Sequence, residues 1–327
     1  MNTFTNYLEK FGSNFLVAAM VPSLGLVIAC MVVFDPILHI SESFQIEDGI
    51  YSLFGASLLV AVPTVIIGFT LTALNTYILK VFEGYVFFRH FPFMQKAYAK
   101  KARKLIDKYE DLREKIEGLE KKKRKSIADK QQLEDLRTAY YDAVAEYDQH
   151  YPPPGDEFDA SFMPTKFGNI LKASEAYSGT RYGMDAVQFW PRLWRVIPPD
   201  YRQYIDEARN ELSFLVNLSA LSVLFYLLCI LAILYNAPVP GVTDWNSTLE
   251  NSLRYIIAAV LALFSNMFFY RAAIFSVGDF GSMIRSSYDL FRLDLLEQFR
   301  IKLPKDSVEE FQVWPFWRSW PHISRAK

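Results

Sequence analysis

The sequence predicts an all-α polytopic membrane protein: four transmembrane helices and a helical cytoplasmic domain that contains an antiparallel coiled-coil hairpin. Three observations predict it. Long uncharged runs recur, two in each half of the chain, and a helix crosses a bilayer with about 20 apolar residues. The middle third turns abruptly to Lys, Glu, Asp, Arg, Ala, Leu and Tyr, with apolar residues at heptad spacing. The short loops joining paired runs hold acid and no Lys or Arg, whereas the segment beyond Leu79 is dense in base.

Composition sets the outer limits. The chain of 327 residues is 51% hydrophobic and 22% charged, which suits a minority of its length in lipid and a sizeable polar part outside it. Net charge is −1, so no overall field draws it to nucleic acid, and nucleic acid is not an expected partner. Cys30 and Cys229 sit inside apolar runs, where packing is the expected role and no metal-ligand spacing can be built.

Taken in order, the first uncharged run is Phe11 to Phe34, bounded by Lys10 and Asp35, with Pro22 and Gly25 predicting a kink or close helix contact. It is too long for a cleavable leader and is predicted to stay as span one. The linker from Asp35 to Asp48 has four acids and no base, which places it outside. Span two, Tyr51 to about Leu79, lies in the uncharged run Gly49 to Leu79. It leads through a Tyr/Phe/Arg/His collar (Tyr85 to Phe93) into Lys96, Lys100, Lys101, Arg103 and Lys104.

Leu105, Tyr109, Leu112, Ile116 and Leu119 form one a/d stripe, and Leu133, Leu136, Tyr140, Ala143 and Tyr147 a second. The two are out of phase, so two antiparallel helices fit better than one. Ser126 followed by Asp129 reads as a capping box for the second. The tip between them is Lys121, Lys122, Lys123, Arg124 and Lys125, a solvated turn or a site for anionic lipid, nucleic acid or an acidic partner. Pro152 to Gly155 ends the hairpin.

A helix is predicted from Pro164 to about Tyr177, then a turn at Ser178 to Gly183. The stretch Met184 to Ile197, interrupted by Pro191, is aromatic and basic at once. Trp190, Arg192, Trp194 and Arg195 are predicted as interfacial anchors on the cytoplasmic membrane face, joined by Trp314, Trp317 and Trp320 of the tail. A helix starting at Asp200 runs into span three, Leu212 to Tyr235. The loop Asn236 to Asn251 lacks Lys and Arg and includes the sequon Asn246-Ser247-Thr248. Span four, about Leu253 to Val277, is interrupted by Arg271, for which Glu83 is the predicted ion-pair partner. The Gly278–Gly281 stretch reads as a break before an amphipathic helix through Phe299.

The predicted division is therefore a cytoplasmic N-terminus (1–10), spans one and two with an acidic outer loop (11–93), the coiled-coil hairpin (94–150) and a cytoplasmic or interfacial segment (151–210). Spans three and four with their short outer loop (211–278) and an amphipathic helix with a Trp-rich tail (279–327) complete it. Both termini are predicted cytoplasmic, in a plasma membrane, preferably a bacterial inner membrane.

No nucleophile elbow, HExxH, Walker A, GxGxxG, CxxC or EF-hand pattern occurs, and the four histidines are scattered, so no catalytic, cofactor or metal site is predicted. The favoured function is a non-catalytic scaffold, sensor or effector that binds a protein partner or a second copy through 94–150. Two alternatives stand beside it. One is an oligomeric channel or pore lined by Thr70, Thr72, Asn75, Asn217 and Asn266 with Arg271; packing between helices explains the same residues. The other is a lipid-active enzyme using the interfacial Trp/Arg surface.

Overall fold

A computed structural model describes residues 16–38, 50–122, 126–236 and 245–323. Among them every regular element is helical. We number the α-helices in chain order: α1 (Val21–Leu38), α2 (Ile50–Glu83), α3 (Pro92–Glu120), α4 (Ile127–His150), α5 (Lys166–Tyr182), α6 (Ala186–Val196), α7 (Pro199–Tyr235), α8 (Trp245–Gln298) and α9 (Ser307–Ile323). Four stretches are long and apolar enough to cross a membrane: Ala18–Asp35, Ser57–Glu83, Pro199–Tyr235 and Ser252–Gln298. The residues form two compact units, Met1–Leu79 with Glu207–Ser276, and Lys80–Asp206 with Val277–Lys327. We call them the span unit and the polar unit.

The span unit gathers the apolar parts of α1, α2, α7 and α8. A π-helical turn, Leu16–Met20, leads into α1 directly ahead of Pro22, where a proline ring would otherwise collide with the carbonyl four residues back. Phe34 stacks on Tyr255 of α8 and meets Phe225 of α7 edge-on. Around them are small buried residues, Cys229, Ala232, Ala258 and Ala259. Leu71 of α2 joins Ala19, Leu26 and Leu221 in a second cluster. Within α2, Pro63 is accommodated mid-helix, and the Thr64 hydroxyl donates to the Val60 carbonyl at 2.7 Å.

The polar unit is built on large aromatic groups. Trp314 of α9, Tyr288, Leu295 and Leu296 of α8, Phe189 and Leu193 of α6 and Ile205 of α7 form one buried cluster. The rings of Phe189 and Trp314 meet nearly perpendicular at 5.2 Å, an attractive edge-to-face arrangement. A second cluster joins Ala99 and Ala102 of α3, Tyr147 of α4 and Phe162.

Several boundaries differ from the sequence expectation. α8 runs unbroken through Gly278 and Gly281. A helical glycine costs only about 1 kcal/mol, and Gly281 has a use, since a Cβ there would lie 2.2 Å from Ser174 Oγ of α5. α5 extends through the expected turn to Tyr182 and stops at Gly183, whose φ of 76° closes the helix in the left-handed region. α6 passes through Pro191, started by the Asp185 side chain accepting from the Gln188 amide. α1 continues past Asp35 to Leu38, and α8 already begins at Trp245, so the sequon lies in its first turn. The expected outer linker lies mostly outside the described residues, as do Lys123, Arg124 and Lys125 of the basic tip.

Candidate functional site

Three regions hold the residues that the sequence singles out. The first is α3 with α4. Every residue of the two apolar stripes is at least half-buried, and Leu133, Ala143 and Tyr147 fully so. Tyr109 meets Tyr140 and Tyr147 edge-on at 6.3 and 6.1 Å, while Arg137 bridges to Glu120 at 2.7 Å. The Ser126–Asp129 capping box is present with both reciprocal bonds. Asp129 also takes the Lys122 ammonium at 2.7 Å, and that bond, with the Ser126 bonds, holds its carboxyl well below the usual carboxylate range. Ile127, beside the basic tip, is 89% exposed. Among the described residues, the side-chain hydrogen bonds and ion pairs of residues 110–138 stay within α3, α4 and the turn between them. The distal part is thus a two-helix arm.

The second region is the aromatic and basic surface of α6. Trp190 and Trp194 are half-buried against each other, and Arg192 and Arg195 are exposed. Trp314, expected at a membrane surface, is instead 0% exposed. Tryptophan beside arginine has the same composition at an interface and in a core, and here the indole is buried in one cluster with Phe189 and Tyr288. Trp317 and Trp320 lie in α9 with side chains outside the described set.

The third is the set of polar residues within the spans. Asn217, 2% exposed, donates from Nδ2 to the Ala18 carbonyl at 2.7 Å, tying α7 to the turn before α1. Ser219 of α7 donates to Asn266 Oδ1 of α8 at 2.7 Å. Thr70 and Thr72 donate to their own helix, at Ile66 and Gly68. Asn75 is half-buried, and its Oδ1 has no donor among the described residues. Arg271 is exposed on α8 in the span unit, and Glu83 belongs to the polar unit.

Two features of the polar unit are not legible as motifs. At the end of α2, the Thr165 hydroxyl donates to the carbonyls of Phe82 and Glu83 at 2.7 and 3.0 Å and accepts the Gly168 amide at 2.9 Å. One side chain therefore closes α2 and opens α5. A Cβ on Gly168 would sit 2.1 Å from the Glu83 carbonyl oxygen, so only glycine allows this approach. Elsewhere Asp289 accepts from Tyr177 and Tyr182, the Arg292 guanidinium lies 3.9 Å over the Tyr182 ring, and Arg292 bonds Glu310 of α9 at 2.6 Å. Burial, then the Asp289 carboxylate, pushes both phenols upward. This network fastens α5, α8 and α9 together. Its directly bonded pairs are up to 112 positions apart, which is why no local pattern announces it.

Among the described residues no group of three or more His, Cys, Asp or Glu side chains is placed to hold a metal ion. No protein-family model, curated protein or solved structure matches the chain.

Proposed function

We propose that the chain is a multi-pass membrane protein that acts non-catalytically, as a scaffold, sensor or effector, by presenting the α3–α4 arm to a protein partner or to a second copy of itself. In this reading the arm is an antiparallel coiled-coil hairpin, and the polar unit and both termini are cytoplasmic, at a bacterial inner membrane. The absence of Lys and Arg from 35–48 and 236–251, against their density after Leu79, supports the orientation.

The observation that carries the reading is the half-burial of the distal stripe. Leu112, Ile116, Leu119 and Leu136 are each only partly covered by the opposite helix, and the described side-chain bonds of this part of the arm stay within it. Two helices seal one narrow seam, and apolar surface left beside it is covered by a further helix in larger bundles. Replacing residues 112–136 with a short Gly–Ser turn in the full chain tests this. Particle mass in nanodiscs is expected to fall to that of a single chain, and partners cross-linked in native membranes to be lost, with insertion unchanged. Wild-type association after the replacement would refute it.

The span residues favour packing over permeation as their role, because Asn217 and Asn266 bond between helices and Thr70 and Thr72 within one.

A further inference from the structure

We infer that the collar after α2 and the first three turns of α3 form a binding site for the anionic headgroups of the membrane leaflet at the end of α2. The sequence is one-sided here. Between Glu83 and Asp107 there is no acidic residue, and Arg89, Lys96, Lys100, Lys101, Arg103 and Lys104 all fall in that interval.

The structure sorts these residues onto faces. Inward on α3, Ala99 and Ala102 are buried, the Gln95 amide donates to the Phe162 carbonyl, and Arg103 lies over the Phe158 ring. Outward, Phe93, Lys96, Lys100, Lys101 and Lys104 are all exposed. Their spacing of three and four residues makes one stripe, about 17 Å long at 1.5 Å per residue. Among the described residues none of these four lysines forms an ion pair, whereas farther along the same helix Arg113 and Lys115 are matched with Glu117 and Asp111. An unmatched cationic stripe stands beside a matched one on a single helix.

At the near end of the stripe lies an apolar contact surface. Phe87 is 68% and Phe93 66% exposed, and Phe91, also exposed, sets its ring edge-on to Phe93. Exposed phenyl rings in such a row suit the boundary between acyl chains and headgroups. Chain length brings them there. α2 is apolar through Leu79 and ends at Glu83, and Phe87 is four residues on, so it cannot be more than about 14 Å from that end. Gly84, with φ of 96°, turns the chain at this point. Rings that must stay near the end of a membrane-crossing helix, continuous with a stripe of ammonium groups that form no ion pair among the described residues, fit an anionic lipid surface better than a nucleic acid or an acidic protein. Phenyl rings also stack on nucleobases, but headgroups are already present at the end of a membrane-crossing helix.

The inference rests on α2 crossing the membrane, part of the reading above, and is independent of the arm. Its test uses the full chain in nanodiscs of mixed phosphatidylcholine and phosphatidylglycerol, with p-benzoyl-phenylalanine in place of Phe87 and, separately, of Ile127 at the arm tip. Light is expected to give phospholipid adducts from position 87 and none from 127. Adducts from 87 to a second copy of the chain, or none to lipid, would overturn the inference while leaving the span reading intact; a chain that stays in solution without detergent would remove both. In the same discs, replacing Lys96, Lys100, Lys101 and Lys104 by Gln is expected to reduce the excess of phosphatidylglycerol over phosphatidylcholine retained in native mass spectra by about tenfold or more. An unchanged excess would show that the stripe does not bind headgroups.

Discussion

The two units solve the same packing task with opposite materials. In the span unit, many large apolar side chains are exposed: at most 33% of any candidate membrane window is buried, and the small residues Ala258, Ala259, Cys229 and Ser219 are buried, the first three of them in one cluster with Phe34 and Tyr255. In the polar unit the interior is occupied by Trp314, Tyr288, Phe162 and Phe167, all essentially fully buried. On the proposal that the four apolar helices cross a membrane, the difference follows from the solvent. Lipid gives no advantage to moving leucine from chain to protein, so helices in it associate through close contact and hydrogen bonds. Water expels apolar area, about 25 cal/mol for each Å² buried, so the largest rings become the most useful core groups.

The comparison breaks most readily at Trp314. Trp314→Ala removes the ring that Phe189 meets edge-on and leaves a cavity among α6, α8 and α9, with an expected loss of about 3–5 kcal/mol in the polar unit. Hydrogen exchange of residues 186–196 measures it. Trp314→Phe is expected to cost far less, since it keeps the apolar bulk and removes the indole Nε1–H, which has no acceptor among the described residues. Unchanged protection in the alanine variant would mean that the aromatic cluster does not hold this unit together.

The span unit is expected to fail in the opposite direction, by gaining bulk. Ala259 is 5% exposed between Phe34, Cys229 and their neighbours. Ala259→Leu forces the helices apart, at an expected cost of about 1–3 kcal/mol. Unfolding of the full chain in bicelles, reported by labels on α1 and α8, reads that loss. Leu231→Ala, at a position 60% exposed on the same unit, is the control and is expected to leave it nearly unchanged. If Leu231→Ala were the more damaging of the two, the outward leucines would have a protein partner rather than lipid.

The sequence announces these two regimes unequally. The four candidate spans are legible because charge is excluded from lipid over a fixed length, a one-dimensional property. The Ser126–Asp129 capping box is equally local, four residues closing a turn on themselves. Gly281 and Trp314 are the instructive failures. Gly281 was expected to break a helix, yet its lack of a side chain serves Ser174, more than a hundred positions earlier in the chain, while α8 continues through it. Trp314 was expected at a membrane surface because its neighbours include arginine and two more tryptophans, but it is buried in one cluster with Phe189 and Leu193 of α6. The Thr165 bonds to the last carbonyls of α2 belong to the same class. Each is a contact between distant segments, and composition along the chain cannot distinguish a group that faces lipid from one that faces another helix.

The smallest expected effects concern the hydrogen bonds inside the span unit, and they sharpen the comparison by dividing close contact from polar attraction. Ser219→Ala leaves Asn266 Oδ1 without its 2.7 Å donor and is expected to cost about 0.6 kcal/mol, the typical value for such bonds between membrane helices. Asn217→Leu differs in kind. It removes the Nδ2 bond to the Ala18 carbonyl, but it also removes Oδ1, a buried acceptor with no donor among the described residues. Loss of a bond and relief of an unsatisfied oxygen are of similar size and opposite sign, so the net change is expected to be close to zero despite the deeper burial of Asn217. The same bicelle unfolding measurement ranks the two variants. A loss above about 2 kcal/mol for Asn217→Leu would exceed what one bond between membrane helices supplies, and polar attraction rather than the close approach of small residues would then be what holds the span unit together.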